Sequence, residues 1–571
     1  MTFKRHCVSI CLALKLTKEK NLLFMNTDLF VHKTPKLTIQ QKNNSYSTHY
    51  IMALLLCLGI CVANNVQALP SIEKTDAFAS RHISHLHQKI IYQAMDLSKQ
   101  AYKNEQENIP PALSNIGYQQ YRSIRFLNNK SLWMDNSLFQ IQLFHPGFLY
   151  KQPVKINEVQ SENIINIPFS ADFFRYDGES VTLRNVVNSD MGFSGFRVHY
   201  PLNSPTYKDE LVVFQGASYF RPLGPGLQYG VSARGVAIDT AEPSGEEFPY
   251  FKEFWLVKPA PNENTMTFYA LLDSPSVTGA YRFQLLPGIP TSIKVSVDIF
   301  ARKDVKKLGI GALTSMFFYG ENRNHHPDDF RPEVHDSDGL LIATSHNEWI
   351  WRPLSNPKQL HTNSFSLHNP KGFGLMQRDR EFANYQDTEA DYHRRPSVWV
   401  TPTGTPWGKG RVELVEIPTT NETNDNIVAY WVPDKKLTQG DHQHYEYSLH
   451  MINEPGRSTV GKVVQTRNGW GSVPGQDNPP PRSQRQFIVD FSGWPDNSIS
   501  PKLEIEPVLV NSSGKVFDLQ VALLPDQKTW RASFKIAPEG NGAVDMNLYL
   551  KAYNRRITET WSYVWQPQTL P

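Results

Sequence analysis

From about residue 130 onward, apolar residues tend to fall at every second position. In TSIKVSVDIFAR (291–302), Ile293, Val295, Val297 and Ile299 alternate with Lys294, Ser296 and Asp298, as expected of a strand with one face on a core. LWMDNSLFQIQLF, ELVVFQGASYF, TFYALLDSP and YRFQLLPG are further β-rich runs, separated by Gly, Pro, Asn and Asp clusters that make turns. Strands do not alternate with helices here, and no repeat of fixed period appears. The pattern predicts an all-β chain built on an antiparallel β-sandwich, with long loops as the natural carriers of a site.

Two stretches depart from it. Residues 75–106 place Ile83, Leu86, Ile90, Ile91, Ala94 and Leu97 at helical spacing and stop before Pro110-Pro111, which predicts one or two short helices. Residues 453–485 are rich in Gly, Pro, Ser and Asn and read as a linker. Beyond it QFIVDFSGW, FDLQVALLPD, TWRASFKIAPEG, MNLYLKAYN and TETWSYVW are closely spaced strand candidates. They suggest an immunoglobulin-like sandwich over 486–571, without the Cys…Trp…Cys signature of true immunoglobulin domains. Residues 69–452 are then the large sandwich.

A chain of 571 residues fits two to four domains. With 58 basic and 55 acidic residues the net charge is +3, which lacks the basic stripe that nucleic-acid binding needs. A mean hydropathy of −0.44 argues against a multispan membrane protein. The cysteines, Cys7, Cys11, Cys57 and Cys61, all precede residue 62. IMALLLCLGICVA (51–63) followed by Val66-Gln67-Ala68 reads as a secretory signal core with cleavage after Ala68, so 1–68 is expected to be an extension and signal peptide. The segment before the apolar run is long for a signal, which makes Met25 or a later position a candidate start. Cleavage after Ala68 leaves a mature chain without thiols, and so without disulfides, thiolate metal sites or a cysteine nucleophile.

Generic motifs are absent: there is no P-loop, GxGxxG, HExxH or GxSxG. What stands out is a density of acids, aromatics and arginines between residues 215 and 431. RPEVHDSDGLL carries Glu333, His335, Asp336 and Asp338. NEWIWRPL places Trp349 and Trp351 on one face of a strand, and QRDREFANYQDTEADYHRRPS carries Arg378, Asp379, Asp387 and Tyr392. PTTNETNDNIVAYW adds Glu422 and Asp425 in a turn. Paired carboxylates beside aromatic rings suit glycoside hydrolysis, in which one acid protonates the leaving oxygen and another group activates water. The competing reading is ordinary: turn acids are mostly caps, and tryptophans two apart in a strand are mostly core. His335 with its acids, or HHPDD (325–329), has no specific metal spacing, and neither a metal nor a cofactor is expected.

QGASYFRPLGPGLQYGVSARGVAIDTAEPSGEEFPYFKEFW (215–255), LTSMFFYGEN (313–322), RPEVHDSDGL (331–340), EWIWRPLSNP (348–357), NPKGFGLMQRDR (369–380) and GKGRVELVEIPTTNETNDNIVAYW (408–431) closely resemble the periplasmic glucan biosynthesis proteins G and D, the MdoG/OpgG family. The resemblance implies a large mutarotase-like β-sandwich followed by a small immunoglobulin-like one. It also implies a periplasmic protein acting in osmoregulated glucan biosynthesis as an anomer-inverting endo-β-1,2-glucanase. Carried over by motif, the general acid falls on Asp425, a supporting acid on Glu422, the base on Asp336 and a proton-relaying tyrosine on Tyr392. Trp349, Trp351, Arg378 and Asp379 are the expected sugar-binding side chains, and repulsion from Glu422 is expected to keep Asp425 protonated. PTGTPWGKG (402–410) has one residue more than the family's usual loop and is expected near the site. The G type is favoured because no Arg-Arg pair precedes the apolar run. The other reading is a non-catalytic glucan-binding scaffold working with an inner-membrane glucan synthase. A homodimer is expected by analogy only.

Overall fold

The structure is a computed structural model that describes residues 73–105, 109–161, 163–323, 328–453, 460–494 and 503–567. The signal, its cleavage point and the four cysteines lie outside the described residues.

Two large sheets form the main body. One has ten strands, its central run being Ser232–Arg234, Leu308–Ser315, Ile427–Pro433 and Lys409–Glu416. The other has fifteen strands and carries the long meander Tyr250–Val257, Met266–Asp273, Val277–Leu286, Thr291–Ala301 and His442–Ile452. Phenylalanines from both sheets close the space between them. Phe196 and Phe214 of the first sheet meet Phe254 and Phe268 of the second edge-on, with ring centres 4.9 to 5.7 Å apart. Edge-to-face contact suits the ring quadrupole and adds to the roughly 2 kcal/mol that each buried phenylalanine contributes through its area.

The strand Met266–Asp273 shows why its sequence is apolar throughout. Met266, Phe268, Ala270 and Leu272 face the inter-sheet core, while Tyr269 and Leu271 face Leu86, Ile90 and Ala94 of a helix. That helix, Glu73–Ser98, is one continuous element in place of the one or two short ones expected. Among the described residues no helix is long and apolar enough to cross a membrane.

The C-terminal sandwich pairs a four-stranded sheet (Lys462–Gly469, Arg485–Ser492, Trp530–Ala537, Lys515–Leu523) with the strands Glu506–Asn511, Val544–Ala552 and Thr560–Trp565. The latter three extend the fifteen-stranded sheet, because Thr560 and Trp561 pair in parallel with Ile350 and Trp351. The expected linker therefore contains a strand, Lys462–Gly469, and the turn-rich connection shrinks to 470–484. Leu341, Trp351 and Met376 of the large sandwich share one core with Phe487, Phe534 and Trp561 of the small one.

Candidate functional site

The two strands Lys409–Glu416 and Ile427–Pro433 form a hairpin whose pairing ends at Glu416 opposite Ile427, so residues 417–426 are its turn. Asn426, buried, fixes the turn: its amide donates to the Phe317 and Ile417 carbonyls and accepts from the Phe317 N–H at 2.8 to 3.0 Å. Asn356 holds Thr419 through both its amide atoms, and Asn421 accepts from the Thr423 N–H. These are the side-chain-to-backbone bonds for which Asn is chosen in turns. They aim the two acids at the sheet rim.

Asp425 keeps a quarter of its side chain exposed and lies 3.8 Å from Arg221, whose Nε donates to Ser232 at 2.7 Å. Glu422 Oε2 accepts from the Tyr392 hydroxyl at 2.6 Å and from Arg331 at 2.7 Å. Arg331 also binds Asp387 at 2.9 Å and takes Asp329 through Nε and Nη2. Arg331 holds Asp329 below the usual carboxylate range. For Asp387, burial acts upward, but the N–H groups of Ala390 and Glu389 together with Arg331 bring it below that range. Glu422, expected to repel Asp425, is instead met by a guanidinium.

Asp336 follows the short strand Val334–His335, is 3% exposed, and receives Nη1 of Arg395 on Oδ1. Burial pushes its carboxyl up, Arg395 pulls it down and the negative charge of Asp425 adds to the upward push, so that it stays above the usual carboxylate range. Tyr392, also buried, has its hydroxyl held protonated by that burial. His335 faces away from solvent between Phe317 and Tyr385. Its two ring nitrogens lie 2.9 Å from Glu333 Oε2 and from Gln377 Oε1. The Gln377 amide donates to the His335 and Tyr392 carbonyls, which leaves Oε1 to accept. His335 therefore donates from both nitrogens as an imidazolium. Burial opposes that charge, but Glu333, Asp338 and Asp379 raise its pKa to about 9. Among the described residues Glu333, His335 and Asp379 bring three potential ligand atoms within 4.8 Å of one another. Both ring nitrogens of His335 are already engaged, Nε2 by Glu333 and Nδ1 by Gln377. His325 and His326 lie outside the described residues.

The structure brings Asp336, Tyr392, Glu422 and Asp425 together. It places Trp349, Trp351 and Arg378 at the joint of the two sandwiches, and Asp379 between that joint and His335. Trp351 is 4% exposed in the shared core of the two sandwiches, with Arg378 Cζ stacked 3.6 Å from its ring centre. Arg378 forks onto Glu559 at 2.7 and 2.9 Å and onto the Val463 carbonyl, Trp349 packs on Trp399, and Asp379 lines a cavity of about 20 Å³ at this joint. A ring as buried as Trp351 offers no platform to a sugar, and Trp349, half-buried, packs against the same shared core. The 402–410 loop is also distant. It ends at Lys409, and the acids leave the same strand beyond Glu416, which at about 3.3 Å per residue is roughly 23 Å away. Sequence reasoning passed over Arg221, Arg331 and Arg395, although RPEV and HRRPS put two of them within a few positions of residues it chose.

An all-β, two-sandwich protein with an arginine-buttressed carboxylate cluster at a sheet rim is the class that fold and site define. The model of the family "Periplasmic glucan biosynthesis protein, MdoG" matches residues 86–565, and the chain belongs to that family. It is 45% identical over 480 residues to glucans biosynthesis protein G of Ralstonia nicotianae, covering 83% of this chain and 94% of the relative. It is 43% identical over 474 residues to glucans biosynthesis protein G of Shewanella frigidimarina, covering 83% of each. Among solved structures, a polysaccharide lyase aligns over 66% of this chain and 45% of its own, with a TM-score of 0.17 and 10% identity, too low to carry an argument.

Proposed function

We propose that this protein acts in periplasmic glucan biosynthesis as an anomer-inverting endo-β-1,2-glucanase, with Asp425 as general acid and Asp336 as base. The observation that carries the reading is the difference in access between two carboxylates: Asp425 is a quarter exposed on a turn, and Asp336 is almost fully enclosed. An acid must reach the glycosidic oxygen of a bound chain, which an exposed turn residue can do. A base that no sugar can touch must receive its proton through an intermediary, and Tyr392 and water fill that role. Inversion needs a separation of about 6.5–9.5 Å so that water fits between the groups. A relayed base tolerates more. Glu422, held by Arg331 and Tyr392, completes the polar wall.

The family description and the relatives' names speak of biosynthesis, which favours keeping a second reading: a glucan-binding scaffold that assists the synthase. Both readings predict affinity for β-1,2-glucan. Linear β-1,2-glucan cut to short oligosaccharides by the protein, and left whole by Asp425→Asn, supports the enzyme. Binding without cleavage by the parent protein supports the scaffold.

A further inference from the structure

We infer that Arg395 is the positioning residue of this site, one guanidinium that holds the Asp336 carboxylate and the Tyr392 ring in register along the proton's path. The inference rests on the proposed function and names the side chain that makes its base usable. Arg395 follows the single 3-10 turn Tyr392–Arg394 and is itself buried. Its Nη1 donates to Asp336 Oδ1, while Nε and Nη2 donate to the Ala390 carbonyl at 3.3 and 3.1 Å. Its Cζ lies 4.1 Å from the centre of the Tyr392 ring. A planar fork can meet a carboxylate with its edge and a ring with its face at once, which an ammonium group cannot. Gly230 leaves the room: a Cβ there would stand 3.0 Å from Arg395 Cβ.

Charge explains why the contact is needed. A carboxylate as buried as Asp336 that also faces Asp425 would keep its proton, and a protonated base accepts nothing. The charged groups around it come from three places, the strand before it, the hairpin turn 417–426 and the loop after the 3-10 turn. His335 precedes it and has its charge balanced by Glu333. Asp425 stands on the hairpin turn beside Arg221. Glu422 is shared by Arg331 and Tyr392. Arg395, from the loop after the 3-10 turn, is the cation bonded directly to the carboxylate. It therefore acts through Asp336 and Tyr392 and never meets the sugar.

The test uses Arg395→Met, Arg395→Lys and the double variant Arg395→Met/Asp336→Asn in the full mature chain. On linear β-1,2-glucan, the acid limb of the kcat/KM profile should move up by about one pH unit or more in Arg395→Met and by less in Arg395→Lys, with KM held within about threefold. A fall in kcat with the limb unmoved would mean a merely structural role and would overturn the inference. A second readout needs no turnover: the titration of Asp336 followed by NMR of ¹³C-carboxyl-labelled aspartate, assigned by its loss in Asp336→Asn. It should move upward in Arg395→Met, and an unchanged titration overturns the inference even if the protein hydrolyses nothing. An upward titration without hydrolysis in the parent keeps Arg395 as the group that draws the Asp336 carboxyl downward and removes the glucanase reading. The double variant guards against misfolding, because it leaves no unpaired carboxylate. It should melt closer to the parent than Arg395→Met and be no less active than Asp336→Asn, whereas additive losses would contradict the shared role.

Discussion

Under the proposed mechanism a group that gives a proton and one that takes it need different surroundings, and arginines give each carboxylate its own. Glu422 is tied by Arg331 and Tyr392, Asp336 by Arg395, and Asp425 stands in reach of solvent beside Arg221. Asp425→Asn should lower turnover about 10²- to 10⁴-fold while leaving affinity for a β-1,2-linked oligosaccharide nearly unchanged, as checked by calorimetric titration. Tyr392→Phe keeps the ring under Arg395 and removes the relay hydroxyl. Turnover is expected to drop about 10- to 100-fold with binding retained, and full turnover would exclude the tyrosine from the path. That Asp336, Tyr392, Glu422 and Asp425 belong to one cluster was legible because their motifs are distinctive. The arginines were not, because each finds its partner far along the chain: Arg331 meets Glu422 across 91 positions, and Arg395 meets Asp336 across 59. Only folding brings those pairs together, and arginine is too common a residue for its presence to mark a site.

At the scale of single elements, alternation announced the strands reliably, and its failures have physical causes. The strand Lys462–Gly469 was hidden because its run, KVVQTRNG, is half polar and is flanked by Gly and Pro. It buries just Val463 and Thr466 deeply. The pair Trp349 and Trp351 was given to sugar because an aromatic strand looks alike whether the second face meets a ligand or another sheet. Here Trp351 meets Trp561 by parallel pairing. Trp351→Ala should cost about 3–5 kcal/mol of stability, the range for removing a large buried aromatic side chain, and leave oligosaccharide affinity intact. Denaturant unfolding and titration of the same variant separate the two roles. Asn426 offers the reverse case: Asn426→Ala removes three buried hydrogen bonds from the turn and leaves the Phe317 and Ile417 groups unpaired. A loss of about 1–3 kcal/mol is expected, with turnover reduced because Asp425 is no longer aimed.

Across the whole molecule, the two sandwiches are joined over half-buried acids. Glu321 accepts the Thr466 N–H at 3.0 Å, and Asp338 and Asp379 line the same small cavity. Burial, then the neighbouring carboxylates, push Glu321 to about 7 and Asp379 to about 9. Both groups bind protons more tightly folded than unfolded, so their contribution is full below about pH 4 and is lost as pH rises through 7 and then 9. His335, raised to about 9, acts in the same direction: its contribution is full below about pH 6.5 and is lost as pH passes through 9. The melting temperature should therefore fall between pH 5 and pH 9, and Asp379→Asn should flatten that slope in scanning calorimetry. A profile that rises over this range would contradict the reading of the joint. The overall architecture, a large sandwich followed by a small one, was legible from strand spacing and from family resemblance. The sharing of one sheet and one core between them was not, because it depends on a parallel pairing between residues 351 and 561. Product analysis of linear β-1,2-glucan incubated with the protein, beside Asp425→Asn, tests most directly whether the turn 417–426 carries a working acid opposite a buried base. Short β-1,2-linked oligosaccharides released in the inverted anomeric form by the parent alone are the predicted result, and intact polymer in both reactions would contradict it.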